Sequence, residues 1–144
     1  MQNNNKDKII GFTGGCYDLF HIGHLNILKK CKEYCDYLVV GVNTDEYIKE
    51  YKNKTPIIPL EERMEIIKSI KYVDEVVAIN KDNYGLPSLK KYNADYIFVG
   101  DDWKGTEKWN KLEKLYNENG IKVVYFPYTK HISTTILRKK IKEC

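Results

Sequence analysis

Short apolar runs alternate with stretches of helical spacing from one end of the chain to the other. Ile9, Ile10 and Phe12 mark a first strand over Lys8–Thr13. Leu25, Leu28, Cys31 and Cys35 then recur at the spacing of one helix face, in a helix that runs to Tyr34. Tyr37–Asn43 is almost wholly apolar, the pattern of a strand covered on both faces. Thr44 is placed to cap a short helix that fails by Lys52–Pro56, where Asn53, Thr55 and Pro56 impose a loop. Pro59 opens another helix, whose apolar side is Met64, Ile66, Ile67 and Ile70. A strand at Val73–Ile79, a helix at Leu86–Tyr92 and a strand at Tyr96–Val99 follow. Glu107–Asn119 reads as a helix with Trp109, Leu112, Leu115 and Tyr116 inward, stopped by Gly120. Lys122–Phe126 is the last strand, and Ser133 caps a final helix through Lys142.

Strands and helices in strict alternation argue for parallel βαβ units. The expected fold is α/β, a Rossmann-like three-layer sandwich of about five parallel strands with helices on both faces. The 144 residues suit one core, with a disordered tail at 1–7 and a single domain over 8–144. Ligands of such sheets sit past the carboxyl ends of the strands, so the candidate segments are 13–24, 44–54, 100–105 and 127–135.

Charge narrows the function. A net charge of +4 is too mild to argue for nucleic acid, and Arg138, Lys139, Lys140 and Lys142 read as the solvated end of a helix. No apolar run approaches membrane-span length and the start lacks a signal-peptide core, so the expectation is a cytoplasmic protein with no membrane insertion. The cysteines at 16, 31, 35 and 144 form no disulfide framework and are expected as free thiols.

The chemistry concentrates in Thr13-Gly-Gly-Cys-Tyr-Asp-Leu-Phe-His-Ile-Gly-His24. Gly14 and Gly15 close a strand, His21 and His24 open a helix, and the backbone between them turns into an anion site. His21 and His24 lie one helical turn apart, so both imidazoles reach one ligand. A plain capping role competes with this, and a zinc site would need His131 or a carboxylate as third ligand. Lys52 and Lys54 on a loop, with Arg63 on the next helix, are the cations that would neutralise phosphoryl groups. Asp101 and Asp102 emerge at a strand end, where a cation, a ribose or a base would be met. Ser133 and Thr134 open a second helix whose free N–H groups suit phosphates.

His21-Ile-Gly-His24 resembles the H-x-G-H signature of the nucleotidyltransferase superfamily, and Thr129–Thr135 resembles the R-T-x-G-I-S-T-T signature of its cytidylyltransferases. Gly100-Asp-Asp-Trp-Lys-Gly105 is most similar to the bacterial glycerol-3-phosphate cytidylyltransferases. The resemblance covers about residues 8 to 142 and departs where Tyr128 stands for the family arginine and His131 for the glycine. Lys130 and His131 are candidates for the missing charge.

The resemblance implies joining of CTP to a phosphorylated alcohol, best glycerol 3-phosphate, giving a CDP-alcohol and pyrophosphate. Phosphocholine, phosphoethanolamine, a sugar phosphate with ATP, or a disabled nucleotide-binding module are the alternatives. It implies catalytic roles for His21, His24, Lys52 and Arg63. It places the nucleotide on Gly15, Cys16, Tyr17, His21, Gly23, His24, Asp101, Tyr128, Thr129, Ser133, Thr134 and Thr135. The acceptor falls to Lys52, Lys54 and Asp18. Mg²⁺ held mainly by the CTP phosphates, and a homodimer, complete what the resemblance implies.

Overall fold

A computed structural model describes residues 7–143; the expected tail at 1–7 falls, except for its last residue, outside them, as does Cys144. In chain order the elements are β1 (Ile10–Gly15), α1 (Ile22–Tyr34), β2 (Tyr37–Asn43), α2 (Asp45–Lys52), α3 (Leu60–Lys68) and β3 (Glu75–Ile79). Then come α4 (Leu86–Lys91), β4 (Tyr96–Gly100), α5 (Glu107–Glu118), β5 (Lys122–Phe126) and α6 (Thr134–Glu143). All pairings are parallel and the strand order is β3-β2-β1-β4-β5.

The alternation of side chains along each strand divides the core in two. Leu38, Val40 and Val42 of β2 and Phe98 of β4 face a layer made with Leu28 and Cys31 of α1 and Ile67 of α3. Val39 and Ile97 point to the opposite face, against Leu89 of α4 and Trp109 and Tyr116 of α5. Both faces are covered, which is why β2 reads as an uninterrupted apolar run. Cys31 and Cys35 are buried thiols in the first layer, and burial pushes both above the ordinary thiol range.

Some apolar positions depart from the expected stripe. Ile66 is exposed on α3 and Leu115 on α5. The stripe of α3 runs instead through Leu60, Met64 and Ile67, and the buried position one turn before Ile67 belongs to Arg63. The first strand begins later than its apolar run and continues through both glycines, where Gly14 pairs with Gly41 and Gly15 with Val42. The third strand starts at Glu75, because Val73 N still donates into a turn at Ile70 O (3.0 Å).

The chain builds outward from β1 to β3, crosses by α4 to the other side of β1 at β4, and so creates a topological switch point between β1 and β4. There the two strands part. Their register runs Gly11↔Tyr96, Phe12↔Ile97 and Thr13↔Phe98. The Thr13 hydroxyl donates to Phe98 O at 3.1 Å and closes the ladder. Beyond that bond a cleft of about 590 Å³ opens over the sheet edge.

Candidate active site

The cleft begins where backbone geometry is costly. Tyr17 and Leu19, neither of them glycine, hold φ values of 54° and 51° in the loop from β1 to α1. Left-handed backbone costs such residues roughly 1–2 kcal/mol each. The surroundings that fix Tyr17 are visible. Tyr17 is buried and its ring lies edge-on to His24, with 5.4 Å between centroids. Burial also pushes its phenol well above the ordinary range.

α1 starts with an unusual reciprocal cap. His21 Nδ1 accepts from Gly23 N at 3.0 Å, and His24 Nδ1 accepts from His21 N at 3.1 Å. Each Nδ1 is therefore an acceptor, which puts the proton of each neutral imidazole on Nε2. The rings stack at 3.9 Å between centroids, and Phe20 stacks on His24 at 5.3 Å. The intervening glycine has a steric reason: a Cβ at Gly23 would lie 2.9 Å from Cε1 of the His21 ring. Burial depresses both histidines, and the neighbouring His21 takes His24 further, to about 4. At neutral pH the pair is uncharged, with two Nε2–H donors. Burial and the cap are thus compatible with anion binding, and the histidines need not be cationic to do it.

α6 supplies the second helix start. Ser133 Oγ accepts from Ile136 N at 3.0 Å, and Thr134 and Thr135 line the cleft. Thr129 faces α1, where its hydroxyl accepts from Asn26 Nδ2 at 3.0 Å. Tyr128 lies over the end of β4, with a Cβ at Gly100 only 2.2 Å from its hydroxyl, so glycine is the residue that admits it. Burial and the adjoining Asp102 carboxylate raise the Tyr128 phenol to about 12, which keeps it a proton donor. Asp101 sits in a 3-10 turn at Asp101–Trp103 and is exposed outside the cleft lining, whereas Trp103 of that turn lines it. Lys130 and His131 are likewise exposed outside the lining.

Lys52, the last residue of α2, and Lys54, just past the left-handed cap Asn53, border the cleft on the β2 side. Gly15 and Cys16 line the same cleft. Two expected site residues are buried in the frame of the loops, and of the two only Asp18 lines the cleft. Arg63 is 0% exposed: Nε donates to Ile58 O (2.8 Å) and Nη1 to Cys16 O (2.7 Å) and Asn43 O (2.8 Å), while Nη2 pairs with Asp45. The guanidinium braces the post-β1 loop, the end of β2, the start of α2 and the lysine loop, and four of its five N–H donors are spent on them. Asp18 is 4% exposed and accepts from Ile57 N (2.8 Å), Ile58 N (3.0 Å) and Arg138 Nη2 (2.8 Å). Burial alone would raise that carboxyl, but these donors hold it below its usual range. Asp18 therefore ties the lysine loop to α6 and also lines the cleft.

Sequence reasoning missed Asn43, Tyr51, Trp103 and Arg138, which all line the cleft. Arg138 lies one turn after Thr134, a signal that was present but read as solvated charge. Among the described residues no group of three or more His, Cys, Asp or Glu stands ready to hold a metal. No helix among them is long and apolar enough to cross a membrane.

Comparison with known proteins agrees with this geometry. The chain is 39% identical over 127 residues to a glycerol-3-phosphate cytidylyltransferase of Bacillus spizizenii, covering 88% of this chain and 92% of that one. It is also 38% identical over 102 residues to an FAD synthase of Pyrococcus abyssi, covering 71% of this chain and 68% of that one. A lipopolysaccharide core biosynthesis protein of Thermoplasma volcanium superposes with a TM-score of 0.71 at 28% identity, over 87% of this chain and 99% of that one. The cytidylyltransferase-like family model matches residues 12–140, and with the paired helix starts over a split β1/β4 edge it makes this chain a nucleotidyltransferase of the cytidylyltransferase-like family.

Proposed function

We propose that the protein transfers a cytidylyl group from CTP to the phosphate of glycerol 3-phosphate, releasing pyrophosphate. The observation that carries this reading is the Nε2–H donor of His24, with His21 stacked on its ring, in the same cleft as Thr134 and Thr135 at the start of α6. An acceptor phosphate oxygen attacks the α-phosphorus in line. The bond from that phosphorus to the bridging oxygen breaks, and pyrophosphate leaves with the electron pair. A phosphate dianion is already nucleophilic at neutral pH, so the protein's task is positioning and charge stabilisation.

His21 and His24 donate to the phosphate oxygens, with His24 toward the leaving group. An incoming anion raises their affinity for a second proton. Lys52 and Lys54 neutralise the α-phosphate and the acceptor. Ser133, Thr134 and Thr135 hold the triphosphate tail, and Gly15, Cys16, Tyr17 and Tyr128 border the nucleoside. The described residues offer no cage for a resident ion, so Mg²⁺ enters this reading only as the ion carried by the triphosphate oxygens.

The FAD synthase resemblance favours a second reading, adenylyl transfer to a flavin phosphate. Pyrophosphate release measured with CTP or ATP, against glycerol 3-phosphate or flavin mononucleotide, separates the two. The expected result is turnover with CTP and glycerol 3-phosphate that falls by about 100-fold or more in His24→Ala. Wild-type turnover in that variant overturns the assignment, and turnover confined to ATP and the flavin selects the second reading.

A further inference from the structure

On the β2 side the cleft has a polar corner lined by Asn43, Tyr51, Lys52 and Lys54, which the reading above leaves to the acceptor. At its floor, Asn43 Nδ2 donates to the Tyr51 hydroxyl at 2.9 Å, and that hydroxyl meets Cys16 Sγ at 3.2 Å. Tyr51 is 47% exposed, so the pair faces the open cleft. Lys52 Nζ stands 3.5 Å from the same sulfur, and Lys54 borders the same space. Behind them Tyr47 packs on Tyr51 at 4.7 Å and on Tyr84 at 5.9 Å, closing the pocket.

The hydrogen-bond valences define what fits. Asn43 has spent a proton on Tyr51 and presents its carboxamide oxygen as acceptor. Tyr51 has accepted that proton and lies against the Cys16 sulfur, a weak hydrogen-bonding partner from which a ligand oxygen can draw the hydroxyl proton. A donor and an acceptor thus stand side by side, next to two ammonium groups. That is the complement of a hydroxyl a few bonds from a phosphate. A quaternary ammonium fits poorly, although tyrosine rings ordinarily attract one. The Tyr51 face already carries the Lys52 ammonium at 5.6 Å, and a second cation there would be repelled.

We propose that Asn43 and Tyr51 read a hydroxyl of the acceptor's alcohol, which makes the acceptor class a phosphorylated polyol and excludes phosphorylated amino alcohols. The inference rests on the nucleotidyl-transfer reading above. A site that hydrogen-bonds a hydroxyl discriminates more sharply than an apolar pocket, because an analogue without the hydroxyl leaves both partners unpaired.

The test is kcat/KM with glycerol 3-phosphate, propyl phosphate and phosphocholine, for the wild type, Tyr51→Phe and Asn43→Ala. The wild type should prefer glycerol 3-phosphate over propyl phosphate by about 10- to 100-fold, the value of one or two such hydrogen bonds. Each variant should shrink that ratio on the order of 10-fold, with the loss in KM for the acceptor and the KM for CTP unmoved. Tyr51→Phe removes one exposed hydroxyl and keeps the ring packing, so a melting curve close to wild type accompanies the loss. Equal losses with both acceptors, a raised KM for CTP, or phosphocholine as the better acceptor would each overturn the inference. Transfer that ignores the hydroxyl fails the inference alone. Absence of transfer to any phosphorylated alcohol fails the underlying reading, and the inference with it.

Discussion

Replacing Arg63 by methionine separates two roles that the sequence alone leaves superimposed. If the guanidinium braces the site, Arg63→Met removes donors from three backbone carbonyls, those of Cys16, Asn43 and Ile58, and the ion-pair partner from Asp45. Breaking a buried ion pair by removing one partner costs about 3–5 kcal/mol. Asp45 keeps 38% of its side chain exposed and rehydrates, so the low end applies to that part. The three carbonyls add about 1 kcal/mol each only where water fails to reach them, and methionine refills most of the stem volume. The expected loss is about 3 kcal/mol, a large share of the 5–15 kcal/mol typical of a domain. It corresponds to a fall of roughly 10 °C in Tm.

Urea unfolding at pH 7 measures this directly, as a lower midpoint with an unchanged slope. In parallel, kcat should drop because the loop carrying Lys54 loses its anchor at Ile58 O, while KM for the triphosphate moves little. Arg63→Lys should recover part of the stability, since an ammonium satisfies one or two of the acceptors but lacks the fork. A wild-type urea midpoint in Arg63→Met, together with a KM for CTP raised by about 100-fold, would refute the brace. It would show that Arg63 leaves its carbonyls to bind phosphate.

Two further perturbations act on the start of α1. His24 titrates near 4 in the folded protein and near the ordinary 6.5 when unfolded, so the unfolded chain binds the extra proton between those values. Stability should therefore fall as pH drops from about 6.5 toward about 4, with His24 contributing at most about 1.4 kcal/mol per pH unit and the depressed His21 adding to it. His24→Asn should flatten that slope in pH-dependent urea titrations, and an unchanged slope would contradict the depressed histidine. Gly23→Ala forces the His21 ring off its cap, since the new Cβ falls 2.9 Å from the ring. The helix-propensity gain of about 0.5–1 kcal/mol offsets most of the lost cap, so Tm should hardly move while kcat falls about 10-fold or more. Unchanged turnover would mean that the ring's cap-fixed orientation is dispensable.

The fold was legible because its determinants are local and apolar. β2 and β5 occupy their expected residues, Tyr37–Asn43 and Lys122–Phe126, since an apolar run flanked by polar turns admits little else. Thr44 caps α2 through Tyr47 N at 3.1 Å, as its position before Asp45 and Glu46 indicated. The histidine pair was legible because it is also local, set by a four-residue motif. Arg63 and Asp18 were not. Both are charged, and hydrophobic periodicity assigns charge to solvent or to ligand. Their partners lie 18 to 47 and 39 to 120 residues away, apart from one near contact at Ile58, so no local pattern announces them. The trace that existed was spacing: Arg63 falls on the Leu60–Ile67 stripe, where a solvated arginine has no place.

Those two braces bear on the role proposed for the exposed lysines, in a reaction that demands accurate positioning. Lys52 and Lys54 make few contacts of their own, and a free lysine loop would sample many geometries. The loop is instead pinned at one end by the left-handed turn at Asn53 and at the other by Ile57 and Ile58, whose N–H groups end on Asp18. Asp18 in turn holds Arg138 of α6, and its carbonyl accepts the Thr134 hydroxyl at 2.8 Å. Arg63 joins the same loop to Cys16 and to the end of β2. The lysines and the two helix starts thus hang from one buried frame. The backbone that carries them is tied down by buried hydrogen bonds, while the lysine side chains themselves are exposed. For phosphoryl transfer, where catalysis is almost entirely positioning and electrostatics, that division of labour is what the chemistry requires.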